Sequence, residues 1–150
     1  MNSEMVRAAT YIHAPYDEVW TAVTRPDRQG DWYVAPCLTF GWEPGEKVAW
    51  GEPGLPVIEG NLIQWNPATG FTHTFSFTRF DEPESRVEWD VSAAGEVVWV
   101  EVKHYFEEDA PQTQAIITDG WTVVLARLKT LLETGNPMPW PDWEEEEALE

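Results

Sequence analysis

The chain has 150 residues, 43% of them hydrophobic, with ten Trp, one Cys and a formal net charge of -18. That length suits a single domain able to bury roughly two thirds of its unfolded surface. So acidic a surface repels phosphate backbones and anionic lipid, which argues against nucleic-acid or membrane-surface partners.

The N-terminus MNSEMVRAATYIHAP lacks the apolar core of a signal peptide, and no apolar run approaches membrane-spanning length. The single Cys37 allows no internal disulfide. Together these fit a cytoplasmic protein. Met5 to His13 reads as a first strand. Pro15 then suits a first helical turn, and Asp17 and Glu18 complement the helix dipole over residues 15 to 24. Pro26 ends that helix, and a second short helix is expected from Asp27 to Tyr33.

Six strands follow. Cys37 to Trp42, Lys47 to Trp50 and Leu55 to Trp65 are separated by the turns Pro44-Gly45 and Gly51 to Gly54. Phe71 to Phe80 alternates, with Phe71, His73, Phe75 and Phe77 on one face. Arg86 to Val91 sets Val87, Trp89 and Val91 apart from charged neighbours. After a hairpin turn at Ala93 to Glu96, Val97 to Phe106 sets Val98, Val100, Val102, His104 and Phe106 on one face. From Pro111 to Gly135, Ile117, Trp121, Val124, Leu125, Leu128, Leu131 and Leu132 recur at helical spacing. Gly135-Asn136-Pro137 stops this helix.

The fold class is α+β: strands run together, and one long helix with one apolar stripe must lie across their antiparallel sheet. A curved sheet gripping a helix can leave a cavity. Residues 1 to 136 form the domain, and 137 to 150 a tail with six acids and no base. The tail is read as irregular, and as a solubilising segment, a lid or an arm for a basic partner. The final Leu149-Glu150 has the look of a cloning remnant.

The order of these elements resembles the START-like, helix-grip (SRPBCC) superfamily. The matching residues are Ala14-Pro15, Val19-Trp20, Thr24-Arg25-Pro26, Trp32, Pro44-Gly45, Gly60, His104 and Gly120-Trp121. The branch most like it is that of homologues of the activator of the heat-shock-protein ATPase. The resemblance covers about residues 6 to 135. It implies a seven-stranded antiparallel sheet around the C-terminal helix with an internal cavity. It implies no single activity: members bind apolar molecules, and a few are cyclases or hydrolases.

Gly120 costs ~1 kcal/mol inside a helix relative to Ala. It marks either a close helix–sheet contact or room for a ligand. Trp121 is core or cavity wall. His73 and His104 face inward, as satisfied core groups, as ligand anchors, or as one general base. The expected site is an apolar pocket walled by Trp32, Tyr33, Phe75, Phe77, Trp89, His104, Gly120 and Trp121, with His73 as a second polar anchor. Its occupant is a small or medium apolar or aromatic molecule. No catalytic residue is assigned, and no cofactor is expected. No metal site is expected either, since no HExxH, paired Cys or carboxylate–His cluster occurs. Cys37 reads as a buried inert thiol. Two other readings stay open. One is a cyclase- or hydrolase-type enzyme using His104 or His73. The other is a protein-interaction module or homodimer using exposed Trp42, Trp50, Trp99, Trp140 or Trp143.

Overall fold

The computed structural model describes residues 4–67 and 69–142. Ten elements run in the order β1 (Glu4–Ile12), α1 (Tyr16–Thr24), α2 (Pro26–Gln29), β2 (Cys37–Phe40), β3 (Lys47–Glu52), β4 (Leu55–Asn66), β5 (Gly70–Phe77), β6 (Ser85–Ala94), β7 (Val97–Phe106) and α3 (Pro111–Thr134). The strands form one antiparallel seven-stranded sheet in the order β1-β7-β6-β5-β4-β3-β2. The sheet curves around α3, so the expected helix-grip architecture is present.

Alternation explains why the central strands settle in this register. In β7 the buried residues are Val98, Val100, Val102, His104 and Phe106, every second position. A one-residue slip would turn all five to solvent, so the buried face holds the register. On α3 the residues Ile117, Gly120, Trp121, Val124, Leu125 and Leu128 are buried, while Leu131 and Leu132 are only partly covered.

Both ends of α3 are tied. Its N-cap Ala110 makes no side-chain cap, so the first-turn N–H groups need another acceptor. Glu82, from the β5–β6 connection, supplies it: its carboxylate accepts from the Gln112 and Thr113 amides at 2.9 Å each, and from the Thr113 hydroxyl. Partial burial would raise the carboxyl pKa, but these hydrogen bonds outweigh it and hold the group below its usual range. At the other end Gly135 takes φ 95°, the left-handed cap that glycine adopts freely, and its amide returns to the Leu131 carbonyl. Gly60 answers a different need. A Cβ there would lie 1.9 Å from the Thr74 carbonyl, so β4 can cross β5 only with glycine at this position.

Three expectations change. The second helix is a single turn, because Gln29 turns its side chain back to the first helix, donating to the Val23 carbonyl at 2.8 Å. Trp32 and Tyr33 therefore lie in the irregular segment that follows. The fifth strand, β5, ends at Phe77 rather than Phe80. Trp50 is 3% exposed, not a surface contact residue, because Gln29 covers it and accepts its indole N–H at 2.7 Å. Trp42 is exposed at 47%, and Trp99 is half-buried beside Tyr11.

Candidate functional site

The interior between sheet and helix is packed with rings rather than hollow. Trp121, from α3, meets Trp89, Tyr33 and Phe75 with ring centroids 5.7, 6.0 and 6.3 Å away. Trp32 and Trp89 meet edge to face at 5.8 Å. The sequence-predicted residues Trp32, Tyr33, His73, Phe75, Phe77, Trp89, His104, Gly120 and Trp121 thus share one interior, but they fall into two groups.

The first group surrounds His104, which is fully buried. The Trp121 indole N–H donates to His104 Nδ1 at 3.0 Å. An indole nitrogen can only donate, so Nδ1 carries no hydrogen and Nε2 does. Nε2 then donates to Ser85 Oγ at 2.7 Å, and the Ser85 hydroxyl donates to the Phe75 carbonyl at 3.2 Å. Every position in this chain is taken. Burial, with His73 nearby, lowers the His104 pKa to about 3. A neutral imidazole with both nitrogens engaged has no free site for proton transfer. The Ser85–His104 pair is likewise no nucleophile–base pair, since the serine proton points to a backbone carbonyl.

The second group lies around Tyr33, His73 and Gly120. His73 is 1% exposed, and its Nδ1 sits 2.7 Å from the Thr74 carbonyl. Burial lowers its pKa to about 4. Two small voids remain here. One, about 20 Å³, is bounded by Tyr33, Ile58, Phe75, Phe77, Gly120 and Trp121 among others. The other, about 10 Å³, is bounded by Gln29, Tyr33, Trp50, Phe71, His73 and Trp89 among others. A Cβ on Gly120 would meet nothing within 4 Å. The glycine is therefore not explained by close helix–sheet approach.

Sequence reading missed Arg127, which is buried at the back of this region. Its Nε donates to the Trp32 carbonyl at 3.1 Å, an Nη1 donates to the Met138 carbonyl, and its guanidinium lies 4.4 Å from the Trp140 ring centroid. Set at position 127 in the apolar stripe of α3, a charge was the one available signal. Through it the beginning of the tail and the Trp32–Tyr33 segment share one anchor. Trp143 and the acidic run lie outside the described residues.

Elsewhere, Cys37 is half-buried, and burial pushes its thiol pKa to about 11, as suits an unreactive group. An open groove of about 400 Å³ lies between His13–Tyr16 and the β6–β7 turn. It is larger than either void, but its walls bring together no buried polar group. Among the described residues no cluster of three potential metal ligands occurs, and no helix is long and apolar enough to cross a membrane.

Residues 13–133 match the family profile described as Activator of Hsp90 ATPase homolog 1-like protein. Among solved structures, DynU16, "a putative protein in the dynemicin biosynthetic locus", is 25% identical with a TM-score of 0.75. That match covers 93% of this chain, which spans about half (51%) of the DynU16 chain. CalU16 from Micromonospora echinospora is 21% identical, with a TM-score of 0.70 over 90% of this chain and 88% of its own. The Aha1 dimer from Colwellia psychrerythraea is 16% identical, with a TM-score of 0.73 over 88% of this chain and 98% of its own. No curated protein matches in sequence.

Proposed function

The chain belongs to the Activator of Hsp90 ATPase homolog 1-like family, and from that premise we propose that it binds a small or medium-sized apolar, aromatic molecule between the sheet and α3. One observation carries this reading. Gly120 is a buried helix-interior glycine, and the place of its missing side chain is empty space against an apolar void. A glycine there costs ~1 kcal/mol relative to alanine and returns nothing in packing. Keeping the space open is the gain that offsets it.

Ligand sites in proteins enclose roughly 300–1,000 Å³. The void beside Gly120 is about 20 Å³. The conformation described is therefore the filled one, and uptake requires side chains to move. The Trp32–Val34 segment is the part able to do so, since it belongs to no strand or helix. The start of the tail, held to the same Arg127, would act as a strap over that movement.

The test is a titration of tryptophan emission with two neutral apolar probes, N-phenyl-1-naphthylamine and naphthalene. Wild type should take up both. Gly120→Leu, which fills the void, should lose uptake by about ten-fold or more while keeping its fold. Unchanged uptake in Gly120→Leu counts against the reading.

A protein-interaction role is a second reading. Trp42 is exposed and stacks on Trp65 at 6.3 Å, and one structurally similar protein is a dimer. Native mass spectrometry separates the two readings, because it reports subunit number and any co-purifying small molecule together. An acid–base enzyme finds less support, since His104 is wholly engaged.

A further inference from the structure

We propose that His73 is the polar recognition group of the cavity, its Nε2 accepting a hydrogen bond from the hydroxyl or N–H of a planar aromatic ligand that displaces the Tyr33 ring. This rests on the ligand-binding reading above and narrows it to a class of molecule.

The argument starts from which ring nitrogen carries the hydrogen. Nδ1 of His73 lies 2.7 Å from a backbone carbonyl, which can only accept. Nδ1 therefore bears the hydrogen, and Nε2 is left as a bare lone pair. No hydrogen bond among the described residues ends on Nε2. No sealed side-chain polar atom among them lacks a partner. This atom therefore faces open volume, and His73 borders the void of about 10 Å³. An acceptor inside a protein that meets no donor is destabilising. His104, in the same interior, shows that this fold can satisfy both nitrogens of a buried histidine. At His73 one is left over.

The surroundings define what would meet it. Trp32, Tyr33, Phe40, Trp50, Phe71 and Trp89 bound the void, so a flat aromatic ring placed there would meet ring faces and edges. Among the described residues no lysine or arginine borders either void, so an anionic head finds no partner in these walls. The ligand group that fits is a neutral donor on an aromatic ring.

Among the described residues, Tyr33 alone borders both voids. Its ring stands between Trp50, at 5.2 Å, and Trp121, at 6.0 Å. It belongs to the irregular segment between α2 and β2, so it can leave without breaking a strand ladder. Once it leaves, the two voids join into one space with an apolar end at Gly120 and an acceptor at His73. Tyrosine, a ring carrying a hydroxyl, is the chain's own stand-in for such a ligand.

The test compares 2-naphthol with 2-methoxynaphthalene, which keeps the rings and lacks the donor, by NMR titration of the full chain. Wild type should bind 2-naphthol about ten-fold more tightly. In His73→Phe that preference should fall to about two-fold or less while 2-methoxynaphthalene still binds. Tyr33→Ala should bind both probes more tightly. Should the variants fail to fold, the wild-type imidazole decides: the His73 Nε2 resonance should shift with 2-naphthol and stay still with 2-methoxynaphthalene. Equal binding of the two probes to wild type overturns the role of His73 and leaves the cavity reading standing, with a buried water serving Nε2. Binding of neither probe, to wild type or to folded Tyr33→Ala, overturns both readings.

Discussion

His104 and His73 sit in the same interior, on the inward faces of strands β7 and β5, yet their surroundings are opposite in kind. Around His104 a donor, an imidazole, a hydroxyl and a carbonyl form one directed chain with no position left over. Around His73 one nitrogen is spent on the neighbouring carbonyl, no hydrogen bond among the described residues ends on the other, and the residue borders a void. The same contrast holds for the helix. Trp121 fills its place against Trp89 and Phe75, and one residue earlier Gly120 leaves its place empty. The lesson is that one half of this interior is finished for stability. The other half is left unfinished, beside an irregular segment able to move.

If that division is right, damage to the finished half should cost most. Trp121→Ala removes a buried ring and the donor to His104 together, and should destabilise by about 3–5 kcal/mol in urea unfolding. A loss below about 1 kcal/mol would erase the distinction between the halves.

Acid should act on both halves together. Both histidines have folded pKa values below 6.5, so between about 6.5 and 4 the unfolded chain binds protons that the folded chain refuses. Stability is full above about pH 6.5 and falls as pH drops, by up to about 1.4 kcal/mol per pH unit for each histidine. The urea midpoint should therefore decline from pH 6.5 to 5, before ordinary carboxylates titrate. A flat profile over that window would mean that the histidines are not held neutral.

Arg127→Met tests the strap. It strips a partner from the Trp32 carbonyl and lets go of Met138, and should cost about 1–3 kcal/mol. If the strap restrains the Trp32–Val34 segment, probe uptake should rise at the same time; stability loss with unchanged uptake would make Arg127 a packing residue only. The smallest effect is expected at Gly120→Ala. A methyl there meets open space, so the helix should gain up to about 1 kcal/mol. A destabilised Gly120→Ala would place Gly120 in the finished half after all.

Much of this could be read in advance, because periodicity is a local property. Val98 to Phe106 alternate at period two, and Ile117 to Leu128 recur at helical spacing. Those patterns were enough to set the sheet, the long helix and the inward direction of both histidines. Trp50 was misread because β3 is buried on both faces, so alternation carried no signal there. Arg127 was passed over for a related reason. Its backbone acceptors, Trp32 and Met138, come from segments with no regular pattern.

By itself, then, the sequence determined the order of elements, the gripped helix and the membership of the aromatic interior. Only the tertiary structure decided which inward histidine is satisfied. Ser85 and Trp121 are separated from His104 along the chain by 19 and 17 residues. Whether a ring nitrogen finds a donor at 3 Å depends on how strand and helix meet, and no local pattern encodes that meeting. The empty space beside Gly120 has the same origin, since a void is a property of what the neighbouring elements fail to fill.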